Sequence, residues 1–148
     1  MTTHSRVKHL RYEVLMLDQT RRKLKAQDFP DQYMANALIE AFCVHARNLN
    51  EFFLEASDRY KDLLKASSFT DAAYKPPRNT KLRRALFDKI NRQISHLTKK
   101  RTSVARLKIG DKHREQMFAI LIGDLQRFDR HLKPHLRRKW KNSIQQLS

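Results

Sequence analysis

The sequence predicts an all-α fold: four long helices in an up-down bundle, with a short C-terminal helix packed across it. Three observations predict it. Apolar residues recur at helical spacing through most of the chain. Turn formers are scarce and fall mostly between the periodic stretches, with Gly110 and Gly123 the glycines and Pro30, Pro76, Pro77 and Pro134 the prolines. Hydrophobic residues make up 40% and charged residues 32% of 148 residues, enough apolar material for one core and too much for a disordered chain. A sandwich or barrel would need a turn signal every ~8–12 residues. One domain spanning 1–148 is expected.

The first helix is expected over Ser5 to Ala26, where Val7, Leu10, Val14, Leu15, Leu17 and Leu24 keep near-helical spacing and Arg21, Arg22, Lys23 and Lys25 favour the negative end of the helix dipole. Asp28-Phe29-Pro30-Asp31 breaks it, and Pro30 or Asp31 suits the next start. From Gln32 to about Ala56, Leu38, Phe42, His45, Leu49 and Phe52 form one stripe with Ala37, Ala41, Val44 and Phe53 beside it. A stripe so wide belongs to a central helix packed on two sides. Asp58 to Ser67 reads as a short helix and Ser68 to Asn79 as a connector. Thr80 is placed to cap a third long helix, Lys81 to Arg101, with Leu82, Leu86, Ile90, Ile94 and Leu97 inward and Lys and Arg on the opposite face. Asp111 to about Leu132 is the fourth, with Phe118, Leu121, Leu125, Phe128 and Leu132 as its stripe. Pro134 opens the terminal helix bearing Leu136, Trp140, Ile144 and Leu147.

Formal net charge is +17. Between Lys75 and Arg114 fourteen Lys and Arg stand against Asp88 and Asp111, a net +12; between Arg127 and Lys141 seven stand against Asp129, a net +6. Between Ala26 and Asp71 four cations face eight carboxylates, a net −4. Clustered cations gain free energy on phosphate backbones by releasing counterions, and this needs no base-reading residue. An anionic partner follows, with Lys81, Arg83, Arg84, Lys99, Lys100 and Arg101 the candidate nucleic-acid contacts. The other reading of such a face is a solvated surface with no dedicated partner.

Cys43 lies in an apolar helical stretch, as a small buried hydrophobe does. There is no apolar run of about 18 residues and no apolar leader near Met1, so a cytoplasmic protein without membrane contact is expected. No Gly-rich phosphate loop, zinc spacing, Glu-x-x-His pair or Gly-x-Ser-x-Gly turn is present. No metal or cofactor is therefore expected.

Two polar clusters interrupt the apolar pattern. In the second helix, His45, Arg47 and Asn48 must either find partners, Arg47 with Glu51 and His45 in a core hydrogen bond, or line a groove. In the third, Asn91, Arg92 and His96 lie within two turns, with Arg92 and His96 on one face. A histidine beside an arginine suits metal-independent RNA cleavage: His96 moves a proton, while Arg92, Arg101 or Arg47 stabilises the phosphorane formed by a 2′-hydroxyl. The bland reading returns Arg92 and His96 to the solvated basic face. Trp140, inside Arg137-Arg138-Lys139-Trp140-Lys141, suits either base stacking or the core, and its spacing from Leu136 and Ile144 favours the core.

His45-Ala46-Arg47-Asn48-Leu49-Asn50-Glu51-Phe52-Phe53, followed by Asn91-Arg92-Gln93-Ile94-Ser95-His96-Leu97-Thr98-Lys99-Lys100-Arg101, resembles a family of small bacterial all-helical proteins of unassigned activity, the likeness covering Leu38 to Arg101. More distantly, the helical layout and the Arg47-Asn48 pair are similar to HEPN domains, helical dimers that include toxins and defence ribonucleases with an Arg followed four to six residues later by His. Phe52 and Phe53 stand where that His belongs, and three residues separate Arg92 from His96. The resemblance implies a bacterial defence or toxin setting, a dimer, and catalytic roles for His96, Arg92, Arg47 and Asn48. The leading expectation is a cytoplasmic bundle that binds RNA and possesses or lacks this ribonuclease activity. Its rivals are a non-catalytic nucleic-acid-binding protein and a protein-interaction module, forming a homodimer or a toxin–antitoxin-type pair.

Overall fold

The computed structural model describes residues 3–55, 63–94 and 109–144. It is all-α: α1 (Thr3–Lys25), α2 (Gln32–Leu54), α3 (Lys81–Ile94), α4 (Asp111–His131) and α5 (Pro134–Ile144), with a 3-10 turn at Ala66–Ser68. No strand occurs among the described residues, where Thr70 and Leu132 make an isolated bridge.

Local chemistry sets the helix ends. At the end of α1, Gln27 turns left-handed (φ 52°), so the Asp28 N–H reaches back to Lys23 O at 2.9 Å and closes the helix with a reversal of Schellman type. The Asp31 side chain then accepts from the Met34 N–H at 2.8 Å and starts α2. Glu55, also left-handed (φ 53°), ends α2, and its carboxylate accepts from Ser67 N and Ser67 Oγ. Thr80 Oγ1 accepts from the Arg83 N–H at 3.2 Å, the cap expected for α3. Pro134 occupies the first position of α5, where its missing N–H costs nothing.

α1 and α2 pair along their lengths as a helical hairpin, burying Val7, Leu10, Val14 and Leu17 against the α2 face that carries Phe42, Ala46, Leu49 and Phe53. α4 packs on both, α3 on α2 and α4, and α5 reaches back to α1. The core ends in an aromatic cluster around Phe128, whose ring meets Phe52 (5.5 Å), Phe53 (6.0 Å), Phe69 (6.4 Å), Tyr74 (6.5 Å) and Trp140 (5.6 Å), all five in the edge-on geometry favoured by ring quadrupoles. Trp140 is a core residue, 1% exposed, as its spacing predicted.

Two expectations change. The helix over Asp58 to Ser67 is not seen where the chain is described: 63–65 are non-helical and only Ala66–Ser68 turn, while 56–62 lie outside the described residues. The connector over Ser68 to Asn79 is free of α-helix, as expected, and Phe69, Tyr74 and Pro77 are buried in it. The inward stripe of α3 is Arg83, Leu86, Phe87 and Ile90, rotated from the expected one, and Leu82 is 54% exposed.

Candidate nucleic-acid interface

The side chain that organises this region is Arg83. It projects from the first turn of α3 into the interior, where Nη2 donates to Asp124 Oδ2 at 2.6 Å and Nε donates to Asn50 Oδ1 at 2.7 Å. The Arg83 and Asp124 side chains are 3% and 7% exposed. One guanidinium thus joins α2, α3 and α4, and the Phe87 ring lies 5.9 Å below it. The placement of Arg83 among the nucleic-acid contacts is corrected on this ground: its donors are spent inside the core, and a phosphate cannot reach them. Burial holds the Asp124 carboxyl above its ordinary value, although Arg83 donates to it and Arg127 lies near.

Around this joint the two basic stretches meet. The connector lies along the end of α4, with Asp71 N donating to His131 O (2.8 Å), Lys133 N donating to Phe69 O (3.0 Å), and Lys133 Nζ donating to Ser68 O (3.1 Å). His131 Nδ1 sits 3.1 Å from Asp71 Oδ1. Desolvation works to raise the Asp71 carboxyl, and the Ala73 N–H and His131 together bring it below its ordinary value. Burial, then the Glu55 and Asp124 carboxylates, push the Tyr74 phenol up to about 12, with Arg127 and Arg83 acting in the opposite sense. Lys75, Arg78, Lys81 and Arg84 are exposed on the α3 side of this joint, and Arg127, Arg130, Arg137 and Arg138 on the α4 and α5 side. Arg137 also donates to Leu132 O and Arg130 O, covering the carbonyl end of α4, where a cation is favoured. Sequence reasoning named Lys81 and Arg84 but not Arg127, Arg130 or Arg137. The signal for these was the +6 stretch, and what joined it to α3 was Asp124.

The cluster on α2 has a different character. His45 is buried, its Nδ1 lies 2.7 Å from Glu13 Oε2, and Asn48 Nδ2 donates to the same oxygen at 3.2 Å. The Tyr12 ring stands edge-on to His45 at 5.5 Å. His45 is thus satisfied by a hydrogen bond that joins α2 to α1, the structural alternative its position allowed. Arg47 is half-buried beside it. A cavity of about 280 Å³ adjoins the cluster, lined among others by His9, Glu13, Asn48 and Glu51. With carboxylates at Glu13 and Glu51, this cavity repels a phosphate more than it holds one.

Of the other candidates, Arg92 is exposed on α3 with Asn91 beside it. His96, Lys99, Lys100 and Arg101 lie outside the described residues, so the pairing of Arg92 or Arg47 with His96 lies outside them too. A larger cavity, about 420 Å³, opens between α1, α2 and α4 over Val14, Leu17, Phe53 and Leu125. Its rim charges answer one another: Asp18 binds both Arg21 and Arg22, and Arg21 also binds Glu115 and lies 4.0 Å above the Phe118 ring. No three His, Cys, Asp or Glu side chains among the described residues group to hold a metal ion. No described helix is long and apolar enough to cross a membrane. No protein-family model, curated protein or solved structure matches the chain.

Proposed function

We propose that this chain binds RNA through the basic surface formed by the connector, the first turn of α3, the end of α4 and the start of α5. One observation carries the reading: two cationic stretches are drawn to a common joint, and among the described residues Lys75, Arg78, Lys81, Arg84, Arg127 and Arg130 remain exposed, while Arg83 and Arg114 turn inward and Arg83 is neutralised by Asp124. Exposed Lys75, Arg78, Lys81, Arg84, Arg127 and Arg130 can each replace a condensed counterion on a phosphate. Asn48 and His45 belong to the hairpin and take no part in this contact.

Metal-independent cleavage, where it accompanies binding, would draw on exposed Arg92 and on His96 one turn of sequence further, with Arg92 holding the phosphate and His96 the proton. Protein freed of nucleic acid at high salt and incubated with labelled RNA in EDTA reads both properties. Binding lost in Arg84→Glu/Arg127→Glu, with the melting temperature kept, supports the interface. Binding unchanged in that variant refutes it. RNA fragments that vanish in both Arg92→Ala and His96→Ala mark the chain as a ribonuclease, and intact RNA throughout leaves a binding protein. A chain that ignores RNA but is recovered from cells with a stoichiometric protein partner, or as a dimer, is instead the interaction module.

A further inference from the structure

Proteins that hold single strands without sequence preference join a cationic groove to exposed aromatic rings on which successive bases stack. The basic stretches of this chain contain three aromatic residues, Phe87, Phe128 and Trp140. All three are committed to the core, at 7%, 0% and 1% exposure. Trp140 sits among four cations in sequence, yet its ring packs against Phe128 at 5.6 Å. Tyr74, next to Lys75, is buried against Phe128 and His131. The well-exposed rings among the described residues are Tyr12 and Tyr33. They stand on α1 beside His45 and in the first turn of α2, on elements other than those that form the basic surface.

What the surface does offer is Lys and Arg on a helical frame, fixed by the Arg83–Asp124–Asn50 joint and by the bonds between the connector and the end of α4. Such an array matches phosphates held at regular positions. A duplex presents them at about one charge per 1.7 Å of axis, twice the density of one strand, and leaves its bases stacked and needing no platform. We infer that the basic surface takes double-helical nucleic acid by its sugar–phosphate backbone and discriminates against unstructured single strands. This rests on the RNA-binding reading and narrows its ligand to paired segments. Arg84, Arg127 and Arg130 then act as phosphate contacts that position the duplex and carry no sequence information.

The test is fluorescence anisotropy of the full chain near physiological salt. The probes are a blunt RNA duplex, a DNA duplex of the same sequence, a second RNA duplex of scrambled sequence, and an oligouridine strand of equal length. The expected result is that the RNA duplexes bind alike and about tenfold or more tighter than the oligouridine. The salt slope of log Kd should be steep and should fall by about one in Arg84→Ala. DNA duplex binding as tight as the RNA duplex points to the shared backbone as the ligand; a tighter RNA duplex adds recognition of A-form geometry. Oligouridine bound as tightly as the duplexes overturns the inference while leaving RNA binding standing. Binding to the DNA duplex alone keeps the duplex preference and overturns the choice of RNA. No binding to any probe overturns both.

Discussion

Cutting the joint at Arg83 tests the whole placement of α3. In Asp124→Ala the guanidinium keeps its bond to Asn50 Oδ1 but loses its counter-charge in a site where the two side chains are 3% and 7% exposed. Removing one member of a buried ion pair costs about 3–5 kcal/mol, since the remaining charge is left without water or partner. For a chain of 148 residues near the size range where 1 kcal/mol moves Tm by about 2–4 °C, the loss amounts to roughly 6–20 °C. Arg83→Met should cost less, because it removes the harder charge to bury and leaves Asp124, already held toward its neutral form by burial. Replacing both, as Arg83→Met/Asp124→Ala, should recover part of the loss; the unpaired Asn50 carbonyl remains, worth about 1–3 kcal/mol. Urea unfolding followed by circular dichroism on the four proteins closes a double-mutant cycle with a coupling energy above about 1 kcal/mol. A loss under about 1 kcal/mol in Asp124→Ala, with additive singles, would refute the reasoning: the pair would be solvated and α3 held by its apolar face alone.

Two further outcomes follow from burial. Cys43 is fully enclosed, and burial, helped by Glu40 and opposed by Arg114, pushes its thiol up to about 12; it should stay unlabelled by iodoacetamide at neutral pH and react only as the protein unfolds, and prompt labelling of the native protein would show the hairpin open at α2. Phe128→Ala removes the ring on which five other aromatics converge. It should cost about 3–5 kcal/mol and also weaken duplex binding by loosening the connector against the end of α4, read as a paired fall in urea midpoint and RNA affinity.

Residues read singly were often placed well. The Asp31 and Thr80 caps, the Pro134 start and the inward Trp140 each depend on groups within about one helical turn, and such groups act before any partner arrives. The α3 stripe went astray for the same reason: with Leu82 read inward, Arg83 fell among the outward cations, although Arg83 shares its face with Leu86, Phe87 and Ile90. The correcting signal was present but divided. Asp124 lies in the α4 stripe with Met117, Leu121 and Phe128, and a carboxylate there calls for a cation. The two lie forty-one positions apart in the chain, and helical periodicity carries no information across such a gap.

The α2 cluster divides in the same way. That His45 and Asn48 needed partners was legible, because both interrupt an apolar stripe; that one carboxylate, Glu13, would serve both came only with the pairing of α1 and α2. By itself, then, the sequence determined the helical class, the helix starts, the apolar faces and the excess of cations, all of them consequences of local propensity, capping and spacing. Tertiary structure alone decided which cation went inside and which basic stretches became neighbours. Those choices depend on desolvation and on which helix supplies the compensating charge, and both are properties of surfaces brought together in space.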